Sequence, residues 1–303
     1  MAISRSQLVK ELEPGLNALF GLEYKRYENQ HAEIYTTESS DRAFEEEVML
    51  SGFANAQVKG EGAGVSYDEA QETFTARYSH ETVALAFAIT EEAIEDNLYD
   101  RISSRYTKAL ARSMSNAKQV KSVEPLINGL PSTATFKSGD GVALFSDSHP
   151  TVAGTFKNTL TTQADLNETS LEQSLIDIAA MTDERGLRIA ARGVKMIIPS
   201  ELQFTAERLM KSQGRTATAD NDINAIVSMG MIPQGYRVNN YLTDSDAFYI
   251  ITDVPNGMKM FQRAPLKTAM EGDFDTGNVR YKARERYSFG VSDPRGIFGV
   301  EGA

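Results

Sequence analysis

A chain of 303 residues with 41% hydrophobic and 24% charged residues holds material for a sizeable core, in one large domain or two modest ones, and contains no apolar run long enough to span a bilayer. The absence of cysteine excludes disulfides, thiolate nucleophiles and cysteine-bound zinc. A net charge of −11 repels phosphate backbones and argues against sequence-wide affinity for nucleic acid.

The first twenty residues, Met1 to Phe20, carry no signal-peptide pattern, so a soluble protein made in the cytoplasm is expected. Ser4 and Gln7 have capping-box spacing, with Leu8, Leu12 and Leu16 on one helical face, and Pro14 and Gly15 limit how far that helix runs. From Gly21 to Arg42 the chain is polar and without period, which reads as an extended arm. Glu45–Phe53 and Thr73–Ala88 are strand-like runs around a glycine-rich tip, Lys59 to Gly64, and predict a long hairpin. An isolated hairpin is marginal in water, so its faces need another surface, such as a neighbouring subunit.

Thr90, Glu91 and Glu92 open a short helical turn, with acids near its N-terminus. A helix is then predicted over Leu98–Ile127, with an apolar stripe of Ile102, Tyr106, Ala109, Leu110, Met114, Ala117 and Val120 and a stop at Gly129. It spans roughly 45 Å at the standard rise, about the width of a domain. Leu130–Leu166 reads as an irregular loop with short strands. Leu171, Leu175, Ile178 and Ala179 mark a helix stopped at Gly186, and Val194–Ile198 is a buried strand ended by Pro199. Ser200 and Gln203 have capping-box spacing before Leu202, Ala206 and Leu209. Ala247–Thr252 and Met258–Gln262 are strands around the turn Pro255-Asn256-Gly257, Asn278–Phe289 alternates, and Asp293-Pro294-Arg295-Gly296 is a turn. Helix and strand mix without a βαβ rhythm, which favours an α+β fold over a doubly wound sheet.

Chemical motifs are thin. His31, His80 and His149 show no metal-ligand spacing and read as loop or surface residues. Ser146, Asp147 and His149 contain the residue types of a triad, but such groups are assembled by a fold and not by adjacency, and a turn before Pro150 is the simpler reading. Asp220, Asp222 and Asn224 begin a calcium-loop pattern that fails at Ala225 and Met231, leaving Asn221 or Asp222 as a helix cap. Gly139-Asp140-Gly141 lacks the rest of a phosphate loop, and Asp273 with Asp275 in a glycine-rich turn reads as solvated. No catalytic residue, cofactor or metal is expected. A basic stripe remains: Arg280, Lys282, Arg284 and Arg286 alternate on one strand face. Glu45, Glu46 and Glu47 in the hairpin are a matching acidic partner, supplied by a neighbouring subunit, beside the alternatives of DNA contact or a solvated face.

The order of these parts resembles the major capsid proteins of tailed bacteriophages with the HK97 fold. The wording is closest to the Mu-like major head subunit group: Gly141-Val142-Ala143-Leu144-Phe145-Ser146 with His149-Pro150; Pro199-Ser200-Glu201-Leu202; Pro255-Asn256-Gly257; Lys282-Ala283-Arg284-Glu285-Arg286-Tyr287-Ser288; and Asp293-Pro294-Arg295-Gly296-Ile297-Phe298-Gly299. The resemblance covers the chain from about Phe44 onward. It implies an N-terminal arm over 1–43, an E-loop hairpin over 44–88, a P-domain over 89–165 and 271–303 with a spine helix at 98–127, and an A-domain over 166–270. It further implies a non-enzymatic shell subunit of the virion, assembled in the host cytoplasm into hexamers and pentamers of an icosahedral head around double-stranded DNA, without sequence-specific binding or a membrane. Scaffolding, portal and cement proteins are the implied partners, and the start at Met1 favours a separate scaffold. Lys59 near the hairpin tip is carried as an inter-subunit contact; relatives crosslink a hairpin lysine, but no activating carboxylate or target asparagine is identifiable here. The alternatives are an encapsulin-type cargo shell with the same fold, an enzyme of unassigned class, and a surface attachment module that would not close into shells.

Overall fold

The computed structural model of the chain describes residues 5–90, 99–214, 222–273 and 277–303, with side chains described from residue 14 and, in the long helix, from residue 104. Two four-stranded sheets share the chain. The first has the order β1 (Thr36–Ser39), β10 (Met258–Gly272), β11 (Val279–Val291), β4 (Glu81–Ile89). The second has the order β12 (Ile297–Val300), β9 (Phe248–Thr252), β7 (Gly193–Ile198), β8 (Tyr236–Val238). A two-stranded ribbon of β2 (Phe44–Leu50) and β3 (Glu72–Ser79) projects from the first sheet, and β5 (His149–Thr151) pairs with β6 (Gly154–Phe156). The predicted α+β class is what forms.

The long helix α2 runs Tyr99–Asn128, within a residue of expectation at each end. Its buried arc differs from the predicted stripe. Leu110 and Met114 are buried, but Tyr106 and Val120 are 53% and 41% exposed and Ala109 is exposed, while Thr107, Ser115, Lys118, Gln119 and Ser122 are buried. The helix packs on the first sheet beside α1 (Arg5–Arg26), which lies on the same sheet, and buries a wide arc that polar residues share, so apolar spacing misjudged its rotation. The side chain of Ile102 lies outside the described residues.

The N-terminal segment is the largest departure from expectation. α1 continues through Pro14 and Gly15 to Arg26 instead of giving way to an extended arm at Gly21. Burial of Leu16 and Phe20 against Leu110, Ala111, Met114, Tyr281 and Ala283 offsets the cost of an interior proline. A 3-10 turn at Gln30–Glu33 follows, and β1 then adds in parallel to β10.

The predicted second hairpin run also divides. Residues 72–79 pair with β2, the chain turns at His80, and β4 crosses to pair antiparallel with β11. Conversely β10 is longer than predicted, because its second half pairs with β11 over Ala264–Gly272.

Around the second sheet, α3 (Glu168–Ala179), α4 (Gln203–Lys211) and α5 (Ala225–Met229) supply a core of Leu171, Leu175, Ile178, Ala206, Leu209 and Ile226 against Met196, Ile198, Phe248, Ile250, Phe298 and Val300. The α3 N-terminus carries a capping box between Asn167 and Ser170. The expected box at Ser200 and Gln203 does not form; Ser200–Leu202 is a 3-10 turn without a side-chain cap. Asn224 caps α5 by accepting from Ile226 and Val227, in place of Asn221 or Asp222; Asp220 and Asn221 lie outside the described residues. Among the described residues no helix is long and apolar enough to cross a membrane.

The two sheets are joined by adjacent links, 253–257 and 292–296. They are tied by hydrogen bonds from the backbone N–H groups of Ser292 to Gly257 and of Asp293 to Asn256. A Cβ on Gly257 would stand 2.8 Å from the Cα of Gly296, so both positions need glycine for this approach. Asn256 takes the left-handed conformation, φ 58°, that its Asn-Gly turn requires.

The N-terminal segment is held on α2 by buried polar contacts. Lys118 Nζ pairs with Glu285 of β11 at 2.8 Å, and Tyr24 of α1 donates its hydroxyl to the same carboxylate. Burial and this carboxylate push the Tyr24 hydroxyl well above its ordinary range. His31 is buried, not superficial as its loop context suggested. Its backbone N–H donates to Gln119 Oε1, and Gln119 Nε2 lies 3.1 Å from His31 Nδ1, which therefore accepts. Burial, then the nearby Lys118 charge, lower the imidazole from 6.5 to about 4. The unfolded chain binds this proton more tightly, so stability is full above 6.5 and falls as pH drops from 6.5 towards 4. His31→Gln is expected to remove about 3 kcal/mol of that acid-induced loss, measured as a flatter dependence of denaturation midpoint on pH across this window.

Candidate functional site

The hairpin is the element with least core of its own, and its base is where the chain concentrates buried polar groups. One face of the ribbon, carrying Glu45, Glu47, Met49, Ala76 and Tyr78, lies on the body; the other exposes Phe44, Val48 and Leu50. Residues 51–71, which include Lys59, have no regular secondary structure, and Val58 and Tyr67 there are almost fully exposed.

Several contacts pin the base. Ser40 donates to Glu45 Oε1 at 2.7 Å, so the Nε2–H of His80 donates to Ser40 Oγ at 2.8 Å and His80 Nδ1 accepts from Ser288 of β11 at 2.9 Å. Lys259 of β10 lies between Glu38, at 3.1 Å, and Glu47, at 2.5 Å. Burial alone would lower the Lys259 ammonium, but the two carboxylates outweigh it and hold it above its ordinary range. The Tyr78 ring closes over Gly290, where a Cβ would stand 2.6 Å from the ring.

Under this base sits a buried charged cluster. The guanidinium of Arg295 donates to the carbonyl of Thr182 at 2.8 Å and to Glu184 Oε1 at 2.6 Å, approaches Asp293 at 3.3 Å, and touches Met49 of the hairpin through sulfur at 3.6 Å. It lies over the Phe156 ring at 4.1 Å, and the same ring stacks on His149 at 4.8 Å. His149 is fully buried. Its Nδ1 meets Asp140 at 2.6 Å and its Nε2 meets the Leu144 carbonyl and Asn158 Oδ1 at 3.2 and 3.0 Å. Burial would raise the Asp140 carboxyl, but hydrogen bonds from His149 and Ser138 hold it below the usual carboxylate range. Asp293 is pushed up, because its burial outweighs the nearby Arg295.

This geometry disposes of the triad suggested by Ser146, Asp147 and His149. The carboxylate beside His149 is Asp140, both ring nitrogens are committed, and the Ser146 hydroxyl accepts from the Ser148 N–H. Asp273 engages Arg280 rather than standing free for a cation, and Asp275 lies outside the described residues.

The basic stripe forms as alternation predicts: Arg280, Lys282 and Arg284 are exposed and Arg286 is half-buried, with Tyr281, Ala283, Glu285 and Tyr287 buried on the other face of β11. Its cross-strand neighbours are small on the β4 side, where Thr82, Ala84, Ala86 and Ala88 stand opposite the four cations. Within one chain the stripe does not meet Glu45, Glu46 and Glu47. Glu45 is engaged by Ser40, Glu46 lies 3.8 Å from Arg77 across the ribbon, and Glu47 pairs with Lys259. The one approach is from Arg286 to the backbone carbonyl of Ala43, at 3.5 Å.

Sequence reasoning missed Arg295, Glu184, Asp140, Asn158 and Lys259. The usable signal was an arginine inside a tight Asp-Pro-Arg-Gly turn flanked by strands, where a buried cation needs buried carboxylates.

The phage capsid protein family model matches residues 72–300. Among solved structures the chain is similar to the capsid of an empty GTA particle, at 13% identity over 90% of this chain and 89% of that one, with a TM-score of 0.58. It is similar to the capsid of Myoviridae phage XM1 at 11% identity over 89% of each chain, TM-score 0.53, and to a virus-like particle from Pyrococcus furiosus at 11% identity over 94% and 98%, TM-score 0.50. At such identities these likenesses speak for the fold, which is the HK97-like α+β fold. No curated protein matches the chain.

Arg295→Met strands Glu184 without its counter-charge and is expected to cost about 3–5 kcal/mol, whereas adding Glu184→Leu should recover a large part of it. Denaturant unfolding of the two variants checks this; equal losses would show that the pair is not the unit.

Proposed function

We infer how a particle is built from one premise: the chain belongs to the phage capsid protein family and is a capsid shell protein. Many copies close into hexamers and pentamers of an icosahedral head that encloses double-stranded DNA without reading its sequence, in a virion assembled in the host cytoplasm. The observation that carries this reading is the family match, which spans the second sheet, the long helix and every strand of the first sheet except β1. It also disfavours the cargo-compartment alternative. The role is structural and not enzymatic; the committed nitrogens of His149 support that. The Mu-like group is the closest subgroup by wording, as at Lys282-Ala283-Arg284-Glu285-Arg286.

In domain terms, the ribbon β2–β3 is the E-loop, residues 89–165 and 271–303 with α2 are the P-domain, and residues 166–270 with α3 to α5 are the A-domain that meets its neighbours at capsomer centres; the sheets cross these bounds, with β10 in the first sheet and β12 in the second. The E-loop of one subunit lies on the basic face of β11 in the next. Charge supports this pairing. Residues 44–79 carry seven carboxylates against Lys59 and Arg77, while the exposed face of β11 presents Arg280, Lys282, Arg284 and Arg286. On the hairpin side Glu46 and Lys59 remain as the contact residues; Glu45 and Glu47, on the face that lies on the body, are engaged by Ser40 and Lys259 of their own chain. Each exposed ion pair contributes only about 0–1 kcal/mol, but a closed shell repeats it in every subunit. A scaffold, a portal and a cement protein are the further partners this role calls for.

Electron microscopy of the purified protein, with light scattering for mass, should show closed shells or rings of five and six; a monomer that persists with a co-expressed scaffold would overturn the reading. Arg284→Glu should leave the thermal midpoint unchanged and sharply reduce the yield of closed shells, and normal shell yield would sink the hairpin-to-sheet pairing.

A further inference from the structure

The long helix α2 carries two sets of cations with opposite fates. Lys118 and Lys121 face the first sheet and pair with Glu285 of β11 and Glu81 of β4. Arg105, Lys108 and Arg112 are exposed, and among the described residues none has a carboxylate within ion-pair distance. At 3.6 residues per turn the three fall within an arc of about 60°, and at the helical rise Arg105 and Arg112 stand roughly 10 Å apart along the axis. Of their exposed neighbours Ala109, Ser113 and Asn116 are small or neutral, Val120 and Tyr106 lie outside the arc on one side, and from residue 104 onward the first carboxylate on the helix is Glu124.

This row is on the far side of the layer from the basic face of β11. The helix packs on the sheet through Leu110, Ala111 and Met114 against Tyr281 and Ala283, and the β11 cations alternate away from that contact. The layer therefore has a basic surface on each side. The sheet side has its complement within the chain's own chemistry, the acidic hairpin; the helix side has none among the described residues. A protein interface core is poor in charge and rich in aromatic and apolar groups, whereas the arc of Arg105, Lys108 and Arg112 holds cations with no apolar side chain larger than alanine. A duplex presents one phosphate charge in about every 1.7 Å of its axis, so a row of this length faces several phosphates wherever it lies.

We propose that Arg105, Lys108 and Arg112 of α2 form the surface that the shell turns toward its enclosed double-stranded DNA, contacting phosphates and no base edges. The proposal rests on the shell reading above and gives the shell its polarity, helix side inward and sheet side toward the overlapping hairpin. The net charge of −11 keeps each contact weak and sensitive to salt, which suits contents that must leave.

The test uses the unassembled full-length protein and a short labelled DNA duplex, titrated at several salt concentrations. The native protein is expected to bind with an affinity that falls about 40-fold over a fourfold rise in salt, the slope for about three phosphate contacts. Arg105→Gln/Lys108→Gln/Arg112→Gln should lose most of the binding and flatten that slope, while Lys282→Gln/Arg284→Gln should keep both. Absence of native binding, an unchanged slope in the helix variant, or loss confined to the sheet variant would each overturn the proposal. So would failure of the helix variant to form shells with its duplex binding intact, which would mark the row as a protein contact. Whether the native protein forms shells is read separately by microscopy, so failure of the shell reading is distinguishable from failure of this one.

Discussion

Strict alternation along β11 is the constraint on which the architecture rests. Over residues 279–287 it sends Tyr281, Ala283, Glu285 and Tyr287 to one side and Arg280, Lys282, Arg284 and Arg286 to the other. The first set makes the floor on which α1 and α2 lie; the second makes an outer surface on which Asp273 engages Arg280 and the Ala43 carbonyl meets Arg286. A slip of register by one residue would bury the cations and expose the tyrosines, so β10 and β4 hold the strand from both edges over nearly its whole length. Glu285 is the exception on the buried side, and its position there is what draws Lys118 and Tyr24 inward and ties the N-terminal segment to the sheet.

The same economy governs the second buried charge centre. Arg295 sits in the link that carries the chain from one sheet to the other, and it gathers Thr182, Glu184, Asp293, Phe156 and Met49 from separate stretches of sequence. Buried ion pairs of this kind add little net stability over an apolar core, but breaking one leaves an uncompensated charge, so they fix which arrangement is allowed. Through Met49 and Tyr78 the allowed arrangement includes the base of the hairpin, while the tip is left to be ordered by whatever it meets.

Local periodicity made the long helix, the alternating β11, the Asn256-Gly257 turn and the α+β class legible in the sequence. It failed where burial was decided by distant partners. The helix continues past Pro14 because Leu16 and Phe20 find α2, and the run from Thr73 to Ala88 divides at His80, where its alternation changes phase from Phe74, Ala76 and Tyr78 to Val83, Leu85 and Phe87, because its two halves pair with different strands. His31 and His149 read as surface residues because nothing nearby in sequence announces Gln119 or Asp140. The cations of α2 were visible, but only the packing separates those that face the sheet from those that do not.

Both sheets depend on strands drawn from beyond residue 247. β1, near residue 36, pairs with β10 near residue 260, β4 pairs with β11, and β12 closes an edge of the second sheet at residues 297–300. Neither sheet can therefore be completed until nearly the whole chain has left the ribosome, whereas α1, α2 and the ribbon can form earlier from local contacts. A truncated copy would have helices without a floor and no second sheet, and would be offered to proteases instead of to a growing particle. Long-range pairing thus acts as a proofreading step for an assembly in which one defective tile would spoil the whole.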